Sequence, residues 1–131
     1  MRYLGIDYGK KRVGIAISDE NGDMAFPREV IPNDVKLLAK IKKICTDEKV
    51  DVIVMGESND YHNKPNKIME EVEPFKIELW QETGLPVEYE LEFMTSQQVE
   101  KIFGKTKMLD ASAASIILQA YLDRIKNLKN K

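Results

Sequence analysis

The stretch "YLGIDYGKKRVGIAISDE", residues 3–20, constrains this chain most. Residues 3–6 and 13–18 are rich in β-branched and aromatic side chains, and a short connection containing Gly9 separates them. That pattern predicts two antiparallel strands joined as a hairpin. Asp7 stands where the first strand meets the glycine turn. An ionised carboxylate leaving a sheet core is costly unless a cation or hydrogen-bond donors meet it. The fold must therefore bring something to Asp7.

The remainder of the chain suggests what. "MAFPREVIP" reads as a third strand, placed at an edge by Pro27. "NDVKLLAKIKKICTDEKV" predicts a helix capped by Asn33 or Asp34, with Val35, Leu37, Leu38, Ile41 and Ile44 as its apolar stripe. "VDVIVMG", residues 50–56, is the near-continuous apolar run of a parallel strand covered on both faces. A polar, turn-rich loop follows, then a helical segment from Lys67 towards Thr83 that Pro74 should kink or divide. "PVEYELEF" predicts a fifth strand, and Thr95 caps a short helix. The last helix begins at Asp110 and buries Ala114, Ile117, Leu118, Tyr121, Leu122, Ile125 and Leu128. The order βββαβαβαα implies an α/β fold: a five-stranded mixed sheet, three antiparallel strands then two parallel ones, flanked by helices.

Composition narrows the chemistry. The 131 residues suit one domain, residues 1–131, and no apolar run approaches the roughly 20 residues a bilayer requires. The amino terminus lacks a secretory signal core, so a cytoplasmic location is expected. Cys45 is the only cysteine and reads as a buried structural thiol, which excludes an internal disulfide and a thiolate metal cluster. His62 is the only histidine, so sites built on paired imidazoles are excluded too. With a net charge of −2, bulk attraction does not supply nucleic-acid binding; local patches or metal ions must.

In such a sheet the first strand is central. The parallel strands gather their carboxyl ends at one edge, where Asp7, Glu57 and Glu92 fall. If the last helix packs across the sheet, its start at Asp110 can approach Asp7. Clustered carboxylates repel unless a multivalent cation joins them, and Mg²⁺ or Mn²⁺ fits an oxygen ligand set better than zinc. Two such ions can hydrolyse a phosphodiester without histidine. Each acid also has a structural alternative. Asp7 could accept backbone N–H groups in its turn, Asp110 could cap its helix, and Glu88, Glu90 and Glu92 could form one hydrated strand face. Glu57 is placed only by following the fourth strand.

The motif G-x-D-x-G-x-x-R-x-G-x-A-x-S-D is met by "GIDYGKKRVGIAISD", and an aspartate opening an alanine-rich helix that ends in L-Q-x-Y-L-D is met by "LDASAASIILQAYLD". In both, and over nearly its whole length, the chain resembles the YqgF/RuvX group of RNase H-like proteins. That group comprises nucleases assigned to 5′-end maturation of pre-16S rRNA and to Holliday-junction resolution. The resemblance implies an RNase H-like fold, a metal-dependent nuclease, and Asp7, Glu92 and Asp110 as catalytic metal ligands. A middle motif, D-E-R-x-T-T, appears as "LEFMTS", matching Glu92 and Thr95 while Leu91 and Phe93 replace an acid and an arginine. The family's G-x-P becomes "GES", installing Glu57 where related resolvases hold a metal-binding glutamate.

Phosphate contacts are expected from Lys10, Lys11 and Arg12 in the hairpin turn and from the loop of residues 59–67, including Asn63, Lys64 and Lys67, with Thr95 added by the resemblance. The implied partner is nucleic acid, either structured RNA such as pre-rRNA or branched DNA, bound by a monomer or a homodimer. Two other functions compete. The altered middle motif allows a non-catalytic nucleic-acid or ribosome-assembly module. The strand, D-x-G turn and strand also occur in nucleotide sites of sugar kinases and Hsp70 proteins, although those need two such domains.

Overall fold

The computed structural model describes residues 1–57, 69–91 and 109–129. Its elements in chain order are β1 (Tyr3–Tyr8), β2 (Arg12–Ser18), β3 (Ala25–Pro32), α1 (Leu37–Asp47), β4 (Val52–Glu57), α2 (Met69–Thr83), β5 (Val87–Leu91) and α3 (Leu109–Lys129). The five strands form one sheet in the order β3-β2-β1-β4-β5. β1 pairs antiparallel with β2 and parallel with β4, β2 pairs antiparallel with β3, and β4 pairs parallel with β5. The mixed sheet, the central β1 and the edge position of β3 agree with the sequence reading. Pro27 is tolerated on that edge beside an irregularity, where Ile15 faces Glu29 and Ala16 faces Pro27.

Strand alternation divides the core between two faces. On one, Leu4 and Ile6 of β1 and Ile53 and Met55 of β4 pack with Leu37, Ile41 and Ile44 of α1 and Met69, Val72 and Leu79 of α2. On the other, Tyr3, Ala16, Val52 and Val54 pack against Ala114, Ile117, Leu118 and Leu122 of α3. Burying each large aliphatic side chain stabilises the fold by about 1.5–3 kcal/mol before conformational entropy is charged against it. Gly5 allows the second face to close. A Cβ there would sit 2.8 Å from Leu118 Cβ and 3.0 Å from the Ala114 carbonyl oxygen, so α3 lies directly on the β1 backbone.

Several expectations are corrected. Val35 is 98% exposed rather than part of the α1 stripe, because the helix begins two residues later at Leu37. Asp34 does not cap α1; its Oδ1 accepts the Lys36 N–H at 2.9 Å in the turn before the helix. The Asn33 side chain is used elsewhere. Pro74 lies inside the continuous α2 and does not divide it, since it and the Glu70 carbonyl partner it would deprive are on the exposed side near the helix start. Leu128 is 61% exposed, beyond the reach of the sheet. The helix expected after Thr95 and the start of a helix at Lys67 lie outside the described residues.

Candidate functional site

The carboxyl ends of the parallel strands set the site. Ile6 aligns with Met55 on β4, so Asp7 and Gly56 are the next residues along neighbouring strands; on the other side Asp7 pairs directly with Gly14. Tyr3 of β1 packs on the α3 face and a side chain at Gly5 would meet α3, whereas Leu4 and Ile6 face α1 and α2. Alternation therefore turns the half-buried Asp7 to the α3 face. Gly14 and Gly56 have the same facing, by alternation with Ala16 and with Val54. The carboxylate is thus flanked on both strands by residues without side chains.

α3 runs against the direction of β1. The rings of Tyr3 and Tyr121 lie 5.8 Å apart, whereas Gly5 lies under Leu118 and Ala114. Advancing along β1 moves back along α3. Two more strand residues, about 6.6 Å, reach Asp7. Four helical residues back from Ala114, about 6 Å, reach Asp110. The first turn of α3, which contains the Asp110 backbone, is thereby carried to the Asp7 end of the sheet, on the face that Asp7 addresses.

The turn between β1 and β2 is rigidly built. Gly9 is required by close approach, since a Cβ would lie 2.5 Å from the Arg12 carbonyl oxygen. Asn33 clamps the turn from the end of β3: its Nδ2 donates to the Gly9 carbonyl at 2.7 Å, and its backbone N–H donates to the Lys11 carbonyl at 2.9 Å. Lys10, Lys11 and Arg12 are exposed on this turn, beside the Asp7 end of β1. Glu57 ends β4, in register with Leu91 at the end of β5. Glu92, Thr95, Asn63, Lys64 and Lys67 lie outside the described residues. Among the described residues, no three acid, thiol or imidazole side chains form a metal group. Asp7 is the one proposed ligand whose side chain is among them.

Other polar residues hold the frame. Glu90 belongs to no hydrated face: it is 6% exposed, and Arg124 Nε of α3 donates to its two carboxylate oxygens at 2.9 and 3.1 Å. Its hydrogen bond to Glu90 raises the Arg124 pKa. Sequence alternation placed Glu88 and Glu90 on one face but could not show that a helix covers it. Gln119 accepts the Ala25 N–H at 2.8 Å and donates to the Asp23 carbonyl at 3.0 Å, tying α3 to the β2–β3 turn. Asp19 accepts the Asp23 and Met24 N–H groups at 2.7 and 3.2 Å, which hold its carboxyl below the usual range. Ser18 Oγ accepts the Tyr3 N–H at 2.8 Å.

The family model described as "RuvX: Holliday junction resolvase" matches residues 1–124. The chain belongs to the RuvX family. A relative from Agathobacter rectalis named "Putative pre-16S rRNA nuclease" is 34% identical over 143 residues, covering 99% of this chain and 100% of its own length. One of the same name from Streptococcus mutans is 34% identical over 138 residues, covering 95% and 99%. Among solved structures, RuvC of Thermus thermophilus in complex with a Holliday junction substrate superposes with a TM-score of 0.61 at 17% identity, covering 95% of this chain and 96% of that one. The fowlpox virus resolvase in its junction complex gives 0.60 at 12% identity, covering 95% and 99%. These two likenesses establish the fold, an RNase H-like one. Within this RuvX-family chain Gly5, Gly9, Ser18, Asp19 and Gln119 of the two end motifs build the frame, while Asp7 and the first turn of α3 lie at the same end of the sheet.

Proposed function

We propose that this RuvX-family protein is a metal-dependent nuclease that hydrolyses phosphodiester bonds in structured nucleic acid. The observation that carries this reading is the convergence of Asp7, flanked by Gly14 and Gly56, with the first turn of α3 on one face of the sheet. Carboxylate donors at the end of a central strand suit a hard divalent cation such as Mg²⁺ or Mn²⁺. Asp7, Asp110 and Glu92 are the proposed ligands. Glu57, the last residue of β4, stands beside Glu92 as the alternative ligand. When bound, the ions supply Lewis-acid activation of the phosphate and of the attacking water.

The chain's own groups bind and orient. Lys10, Lys11 and Arg12 neutralise phosphates next to the scissile one, with Asn63, Lys64, Lys67 and Thr95 as further contacts. The near-full-length relatives, named for pre-16S rRNA, weigh towards that RNA as substrate, ahead of branched DNA. No described helix is long and apolar enough to cross a membrane. We place the protein in the cytoplasm, as a single domain of residues 1–131, monomeric on RNA or dimeric on a junction. The replacement of an acid and an arginine by Leu91 and Phe93 favours a second reading, a binding module that cleaves nothing.

Cleavage of a pre-16S 5′-leader RNA and of a four-way DNA junction, with Mn²⁺ and with chelator, separates the two. The nuclease reading expects metal-dependent cleavage of one substrate, reduced at least about 100-fold in Asp7→Asn and Asp110→Asn with the fold intact. Chelator-resistant binding without cleavage by wild type would replace it with the binding module.

A further inference from the structure

We propose that the exposed face of α1 extends the nucleic-acid interface away from the strand ends, as a basic track for the phosphate backbone flanking the cleaved bond. The inference rests on the nucleic-acid reading above but concerns residues outside that site. Lys36, Lys40 and Lys43 recur at helical spacing, so they share one face, and all three are exposed. The Lys36 carbonyl already accepts the Lys40 N–H at 3.0 Å, which brings Lys36 into the helical row. Among the described residues none of the three pairs with an acid, whereas Lys42, on the side towards α2, lies 3.7 Å from Glu82.

Helix stability does not account for this placement. The positive end of the helix dipole disfavours cations in the first turn, yet that turn holds no acid, and Lys36 stands at its cap. The lysines continue the binding turn in space. Asn33, three residues before Lys36, is bonded to the Gly9 and Lys11 carbonyls, so α1 starts at the turn that presents Lys10, Lys11 and Arg12. From Lys36 to Lys43 the helix rises about 10 Å, which spans about three phosphates along one strand of a duplex. Asp47, one turn further on the same face, ends the track. In a chain of net charge −2, a row of cations without acid partners that starts at the β1–β2 turn and runs along the face opposite α3 fits a polyanion that passes the strand ends and lies along it.

The test measures binding of a labelled four-way DNA junction and a labelled RNA stem-loop across a salt series in EDTA, so that binding is read without turnover. Wild type is compared with three variants: Lys36→Ala/Lys40→Ala/Lys43→Ala, Lys10→Ala/Lys11→Ala, and a charge-matched control, Lys49→Ala/Lys76→Ala/Lys126→Ala. Alanine favours helix, so α1 should persist, as circular dichroism will verify. The α1 triple should bind at least about 10-fold more weakly at low salt, and its slope of log affinity against log salt should shrink by about 2–3; the control should change neither. Equal behaviour of the α1 triple and the control would overturn the inference. If the Lys10/Lys11 variant then still loses affinity, the site reading survives alone. A wild type that binds neither nucleic acid overturns both.

Discussion

At the residue scale, single polar groups hold the strand ends in place. Glu90 is buried by α3 and paired with Arg124, whose own side chain is half exposed. Arg124→Ala leaves a buried carboxylate without its partner, so urea unfolding should show a loss of about 2–3 kcal/mol. Arg124→Ala combined with Glu90→Gln should recover part of that loss. Cys45 is a buried free thiol. Burial pushes its pKa up to about 11, above that of the exposed thiol in an unfolded chain. Because the folded state holds the proton more tightly, this contribution is fully present below pH 8.5–9, the ordinary thiol range. It is lost as pH rises through about 11. At pH 8 the folded protein should react with a thiol reagent far more slowly than the urea-unfolded chain; equal rates would show that the thiol is accessible. The Gly9 turn and the start of α3 beside Asp110 were legible from their letters, because a glycine between two strands and an acid opening a helix are local signals. The Glu90–Arg124 pair was not, since it joins residues 34 apart in the chain.

At the element scale, the approach of α3 to β1 couples packing to the site. Gly5 permits that approach, so Gly5→Val must push the helix off the strand or distort both. The expected cost is about 1–3 kcal/mol, roughly 4–11 °C in Tm. Cleavage should fall further than stability explains, because the shift moves the first turn of α3 away from Asp7. Activity that only tracks the folded fraction would separate the helix position from the chemistry. The strands and their order could be read from alternation, turns and Pro27. Helix limits were less legible. Val35 and Leu128 fit the apolar periodicity but fall before α1 and beyond the sheet, and periodicity carries no information about where a neighbouring surface ends. Asn33 looked like a helix cap because its type suits one, yet its side chain closes a turn 24 residues earlier.

For the whole molecule, the charge is nearly balanced but unevenly placed. Cations gather on the β1–β2 turn and along α1, while Glu73 and Glu88, with Lys76 and the exposed Trp80, line a cavity of about 550 Å³ between α2 and β5, at the sheet edge opposite β3. Such an arrangement orients a polyanion towards one end of the strands without a basic net charge. The architecture explains why the Asp7 end of β1 and the first turn of α3 lie at one end of the sheet: β1 is central, and α3 returns antiparallel across it. The most direct measurement is anomalous diffraction from crystals grown with Mn²⁺. The account expects a peak coordinated by both Asp7 and Asp110, absent in Asp7→Asn crystals. Manganese bound elsewhere, or an Asp110 carboxylate turned away from an empty Asp7, would contradict it.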